Sequence, residues 1–282
     1  LKDFVDNYPK SSHVVEANEL IGEGLLNSND FEAALAYMEN ARVKTDRLSL
    51  AYQRAAYQRG TTLFNDGNTV KAAELFNQSL KYPSDKETQA AAHFWLAESY
   101  NQDRLYAKAA AEYAACLKVE GVSGMPYYSK AKFGLGYANF NLKDYSKALG
   151  YFKDYLGDVE KLQQKPNYAD ALLRYADCLY ATKDYPSALR SYDKAMDART
   201  ADMDYAFYQK GVVYAVLKDF ENARTNFSVV VEKYSKSRLY DQALFQKAQM
   251  DFESTNYQAA IRGYSNIIET MPGSPVLPFC YL

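Results

Sequence analysis

The sequence predicts an all-α protein built as a solenoid of stacked helical hairpins, and three regularities predict it. A small residue recurs at Gly22, Gly60, Ala97, Gly136, Ala176, Gly211 and Ala248. Twelve residues after each stands an alanine, at Ala34, Ala72, Ala109, Ala148, Ala188, Ala223 and Ala260. Five residues before each stands another, at Ala17, Ala55, Ala92, Ala131, Ala171, Ala206 and Ala243. These internal offsets never vary, whereas successive copies begin 35 to 40 residues apart, so length varies only in the links. A fixed period of this kind marks a repeat array in which each unit buries its apolar face on its neighbours.

The stretch Ala131–Leu156 is the clearest copy. Ala131, Leu135, Ala138 and Leu142 recur at helical spacing and form one apolar stripe, and Ala148, Leu149, Phe152, Tyr155 and Leu156 form a second. Lys143-Asp144 lies between them as a polar break with a capping-type residue ahead of the second helix. Small residues at fixed places let helix axes approach to the short end of the usual range of roughly 8–10 Å. Large residues then fill the flanks: four positions after each second-helix alanine comes Met38, Phe76, Tyr113, Phe152, Tyr192, Phe227 or Tyr264. Three positions before that alanine comes Phe31, Thr69, Tyr106, Tyr145, Tyr185, Phe220 or Tyr257, and the one non-aromatic member, Thr69, predicts looser packing at that turn.

In order, the seven copies cover approximately residues 12–42, 46–82, 86–118, 126–160, 166–197, 200–234 and 237–271. Gly121, Gly124 and Pro126 predict a true loop over Leu117–Tyr128, and the Glu/Lys/Gln-rich run over Tyr155–Pro166 predicts a lengthened second helix. Phe4-x3-Tyr8-Pro9-x-Ser11 reads as the tail of a second helix entering a turn. It recurs as Val230-x3-Tyr234-Ser235-x-Ser237 and as Ile267-x3-Met271-Pro272-x-Ser274. The array is therefore expected to form one continuous body with partial repeats at both ends, an excised segment of a longer chain.

Composition excludes several function classes. With 48% hydrophobic and 24% charged residues, no segment reads as disordered. A net charge of −2 argues against a nucleic-acid backbone as partner. No apolar run approaches the roughly 18 residues of a membrane span, and the opening residues lack the charged and apolar regions of an export signal, so any such signal is expected to have been removed or to lie upstream. Cys116, Cys178 and Cys280 have no metal or redox spacing, and the first two fall at packing positions. His13 and His93 lie far apart, and no phosphate-binding glycine loop or nucleophile elbow is present. Gly121-Val-Ser-Gly124 is read as loop. Asn77-Gln-Ser79 and Asn226-Phe-Ser228 match a glycosylation triplet but fall inside helices. Arg42, Lys44, Arg47, Arg54 and Arg59 form a basic run that Glu39 and Asp46 interrupt, which suits a solvated face. No enzyme activity, metal or cofactor is expected.

The repeat resembles the tetratricopeptide family, whose helix–turn–helix unit carries Trp-x2-Leu-Gly-x2-Tyr, then Ala-x3-Phe, then Pro. Leu135-Gly136, Gly211-x2-Tyr214, Ala72-x3-Phe76, Ala148-x3-Phe152, Pro83 and Pro272 match parts of it. The leading tryptophan is absent, and Asn139 and Asp251 stand at the tyrosine position. The resemblance covers essentially the whole chain and implies a right-handed α–α superhelix acting as a non-catalytic protein-interaction scaffold. The Phe-x3-Tyr-Pro-x-Ser join is similar to linkers of envelope-associated tetratricopeptide proteins of Gram-negative bacteria. It implies a periplasmic or cell-envelope location, with the cytoplasm as the alternative.

The family's first helices line a concave surface where peptides dock, so the residues on that side are the expected site. Phe133, Tyr137 and Phe140 lie roughly 200° around from the stacking stripe, at about 100° per residue. Equivalent triads are Tyr57/Thr61/Phe64, Phe94/Glu98/Asn101, Leu173/Asp177/Tyr180, Tyr208/Val212/Ala215 and Phe245/Gln249/Phe252. The expected groove for a protein or peptide partner is Tyr57, Phe64, Phe94, Phe133, Tyr137, Phe140, Tyr180, Tyr208 and Phe252. The competing reading is that these rings pack against the adjacent repeat. Some family members hold a terminal carboxylate with a Lys/Asn clamp, but here Tyr57, Phe94, Phe133 and Tyr208 replace the lysines and Thr61, Glu98, Tyr137 and Val212 the asparagines. A sugar-stacking surface, or an architectural role beside a catalytic or signalling domain elsewhere in a parent chain, are the alternatives. Partner identity and oligomeric state are not encoded in these residues.

Overall fold

A computed structural model describes residues 1–41, 43–160 and 167–281, and all regular structure among them is helical. One compact unit, Leu1–Tyr151, holds α1 (Lys2–Asn7) and three hairpins. These are α2 (Val14–Asn27) with α3 (Phe31–Glu39), α4 (Asp46–Asn65) with α5 (Thr69–Ser79), and α6 (Lys86–Gln102) with α7 (Tyr106–Cys116). A single 3-10 turn, Val122–Gly124, then leads into α8 (Tyr127–Asn141) and the start of α9 (Tyr145–Val159). The second unit begins at Phe152 within α9. It holds α10 (Tyr168–Ala181) with α11 (Tyr185–Asp197), α12 (Met203–Val216) with α13 (Phe220–Lys233), and α14 (Tyr240–Glu253) with α15 (Tyr257–Thr270).

Each hairpin turn uses the same backbone device. The penultimate turn residue takes the left-handed conformation, at Asn29, Gly67, Arg104, Lys143, Lys183, Lys218 and Thr255, with φ between 59° and 80°. The next N–H reaches back to close the first helix, as in Asp144 N to Asn139 O at 2.9 Å and Asp184 N to Leu179 O at 2.8 Å. Only Gly67 is a glycine, so the other turns hold a conformation that costs an L-residue about 1–2 kcal/mol. The closing hydrogen bonds and the following cap offset it. Asp30, Asn68, Asp144, Asp184 and Asp219 each accept a hydrogen bond from the N–H three residues on.

The crossing residues and all fourteen flanking alanines are buried, as are six of the seven knobs, with Tyr264 half-buried; of the series three positions ahead of the second-helix alanine, Tyr257 is exposed and the rest are half-buried. The close approach is measurable at the glycines. A Cβ added to Gly22 would lie 3.1 Å from Met38 Sδ, one on Gly60 2.8 Å from Phe76 Cε1, and one on Gly211 2.6 Å from Phe227 Cε1. The aromatic or thioether knob of the second helix thus sits directly on the small residue of the first. Tyr113 also packs on Gly134 of the following helix. Cys116 and Cys178 are buried free thiols, and burial pushes both up to about 12.

The three joins foreseen from sequence share one geometry. Tyr8, Tyr234 and Met271 end their helices at φ −127°, −126° and −130°. Ser11, Ser237 and Ser274 donate their N–H to the carbonyl three residues back, and their hydroxyls accept from the N–H two residues on.

One expectation changes, and two gain detail. Leu142 leaves the apolar stripe and is 45% exposed, because α8 ends one residue earlier and Leu142 is its C-cap. Thr69 is half-buried and donates to Asp103 Oδ1 at 2.8 Å, so a hydrogen bond to the next turn stands where the other copies have a ring. The lengthened second helix runs as α9 to Val159, and residues 161–166 of that link lie outside the described residues, as does Arg42.

Gly211→Ala is predicted to destabilise the chain by about 1–3 kcal/mol, since Phe227 must move. Gly150→Ala, in α9 with open space around its Cβ position, is predicted to stabilise by about 0.5–1 kcal/mol. Urea unfolding of both variants checks the contrast.

Candidate partner-binding face

In the first unit, α4, α6 and α8 bring part of the expected face together. Tyr57 of α4 and Tyr127 of α8 meet hydroxyl to hydroxyl at 3.4 Å across α6. A groove of about 480 Å³ opens beside them, lined by Arg54, Tyr57 and Gln58 of α4, Thr88 and Ala91 of α6, and Tyr127. Burial holds the Tyr57 hydroxyl well above the usual tyrosine range, so it stays protonated and can donate to a ligand. The Asp85 carboxyl, hydrogen-bonded by Thr88, is held below its ordinary value against the opposing effect of burial. The groove is therefore mixed in charge, with exposed Arg54 facing the carboxylates of Asp85 and Glu87.

The other expected residues divide. Phe94 is only 6% exposed and packs on Tyr113, Trp95 and Tyr127, which makes it core. Phe64 is half-buried against Trp95, with ring centroids 5.0 Å apart. Phe133, Tyr137 and Phe140 are half-buried along α8. Phe133 meets Tyr137 edge-on at 5.0 Å, and Phe140 meets Tyr145 at 5.5 Å. In the second unit Tyr180 and Tyr208 are half-buried, on Tyr185 and Phe227 respectively. Phe252 is 50% exposed and borders a separate apolar cleft of about 680 Å³ with Phe245, Tyr257, Ile261, Tyr264 and Phe279.

Sequence reasoning missed Trp95 and Tyr127. Trp95 is the one tryptophan of the chain and links Phe64 to Phe94. Its neighbour Phe94 drew the assignment, although one residue is about 100° of helix.

The middle positions of the triads have a role that the sequence did not suggest. Tyr113 donates to Glu98 at 2.5 Å, Tyr192 to Asp177 at 2.7 Å and Tyr264 to Gln249 at 2.8 Å, each partner fifteen residues earlier. Where the knob lacks a hydroxyl, as in Phe76 and Phe227, the same position holds Thr61 or Val212. An acceptor thus appears wherever the knob carries a donor, and for the buried Tyr113 and Tyr192 the cost of an unmet hydroxyl requires it. Asp177 also receives Arg174 Nη1 at 2.6 Å, yet burial keeps its carboxyl above the ordinary value.

Several charged groups elsewhere are paired within the chain. Arg47 pairs with Glu23 and Glu19, Arg59 with Glu32, and the Lys44 ammonium donates to the Met38 carbonyl. His93 pairs with Glu112 at 2.7 Å, and exposed His13 lies 3.7 Å from Glu16. Among the described residues no group of three His, Cys, Asp or Glu could hold a metal, and no helix is long and apolar enough to cross a membrane.

Three tetratricopeptide repeat models match the sequence, over residues 20–86, 142–207 and 205–237, together more than half of it. The chain belongs to the tetratricopeptide repeat family, a class of protein-interaction scaffolds that is generally non-catalytic. Among solved structures it is similar to PilW, a widely conserved type IV pilus biogenesis factor, with a TM-score of 0.60 and 16% identity over 82% of this chain and 98% of that one. It is similar to Pseudomonas aeruginosa PilF, at 0.57 and 16% over 81% and 96%. It is also similar to YrrB, a TPR protein with an unusual peptide-binding site, at 0.53 and 18% over 83% and 97%. At these identities what is shared is the fold. A comparison with curated protein sequences gives no match.

Tyr192→Phe is predicted to destabilise the chain by about 1–3 kcal/mol, because buried Asp177 loses a donor that Arg174 does not replace. Chemical denaturation measures it.

Proposed function

We propose that the chain is a scaffold that holds a protein segment in the groove of its first unit, between Arg54, Tyr57 and Gln58 on one side and Tyr127 on the other. One observation carries this reading: first helices of three successive hairpins converge there, with the Tyr57 and Tyr127 hydroxyls 3.4 Å apart. Tyrosine offers an apolar ring and a donor at little entropic cost, while Gln58 and Arg54 can bond a peptide backbone or an acidic side chain. A bound segment in extended conformation would satisfy its own carbonyls on these donors. The fold-level likeness to PilW and PilF, and the short joins, support a role in the bacterial cell envelope. The likeness to YrrB supports a peptide as the bound form.

The test is affinity capture from an extract of the source organism, comparing the natural chain with Tyr57→Ala/Tyr127→Ala and with Phe133→Ala/Phe140→Ala. The first pair is predicted to lose the captured protein, by tenfold or more if two anchors contribute about 1 kcal/mol each. Equal recovery by all three, in variants that retain their helical signal, would remove the groove as the site. Recovery of glycan instead of protein would remove the reading itself.

A further inference from the structure

The three Tyr-knob hairpins solve one packing problem with three different acceptors. In α14 the acceptor is the neutral amide of Gln249. In α10 it is Asp177, whose charge is met by Arg174. In α6 it is Glu98, which follows the crossing residue Ala97 and receives Tyr113 at 2.5 Å, but has no cation at ion-pair distance among the described residues. Of the helices packed on α6, α7 presents Tyr113 to this carboxyl and α8 presents Lys130, which acts on it at longer range. Among the described residues α4 and α5 add no charged or titratable group that acts on it.

We propose that Glu98 is a proton-operated latch: ionised it weakens the α6/α7 hairpin, and protonated it takes the neutral role that Gln249 takes in α14. The Tyr113 ring that closes the hairpin is fully buried, so little water reaches the carboxylate from that side. Burial outweighs both Tyr113 and Lys130 and holds the Glu98 carboxyl above the ordinary value of 4.5. The folded state then binds the proton more tightly than the unfolded one. The added stability is complete below the ordinary glutamate value and is lost as pH rises through the raised, folded value. Because α6 also supplies Thr88 and Ala91 to the groove, acidification firms the helix that forms the groove's middle.

The test is urea unfolding of the full chain and of Glu98→Gln, from about pH 5 to about pH 8. The variant's midpoint is expected to lie at higher urea than that of the natural chain at the upper end, and the two are expected to converge towards the lower end. Lys130→Met is expected to widen that gap in the natural background and to have no pH-dependent effect on top of Glu98→Gln. A variant no more stable than the natural chain at the upper end, a gap that does not change with pH, or an equal pH-dependent Lys130→Met effect in both backgrounds would overturn the latch.

Discussion

The fold depends on one contact, measurable in three of the copies: a large knob of the second helix seated on a glycine of the first. At Gly22, Gly60 and Gly211 even one added carbon would press on the knob. Such a seat brings the helix axes together, and the fully buried ring or thioether fills the space that the missing side chain leaves. The flanking alanines extend the same logic by one or two turns either way. Everything else in the hairpin follows from the need to return the chain at the right distance, including the left-handed turn residue and, in five copies, the Asp or Asn cap that follows it.

That contact also sets where polarity can be buried. A tyrosine knob brings a hydroxyl into a closed seat, and the structure answers with an acceptor at the next position of the first helix. The answer turns Glu98 and Asp177 towards the packed interior, whereas Gln249 accepts from Tyr264 and still lines the cleft beside Phe252. The two clefts that open on the surface are lined by Tyr57, Tyr127, Arg54 and Gln58 in the first unit and by the rings around Phe245 in the second.

The stacking residues were legible because they recur. A residue type repeated at fixed offsets reveals its constraint even when each copy is weak, and the crossing residues, alanines and knobs were all readable in this way. The turn conformation was not, since Lys143, Lys183 and Lys218 have no preference for the left-handed region and reach it only through tertiary closure. Leu142 was misplaced because an apolar stripe drawn on an ideal helix does not show where the helix stops. The face was only partly legible. Tyr57 lines the first-unit groove, but Phe94 and Trp95 are adjacent in sequence and about 100° apart on the helix, and only packing decides which ring turns inward.

The most direct test of the knob-and-seat account is a double-mutant cycle between Gly60→Ala and Phe76→Leu, read by urea unfolding. Each single change should destabilise, the first by pressing on the ring and the second by leaving a void. The account predicts that the double variant loses less than the sum of the two, by about 1 kcal/mol or more, because the shorter side chain makes room for the added carbon. Additive losses within about 0.3 kcal/mol would contradict it.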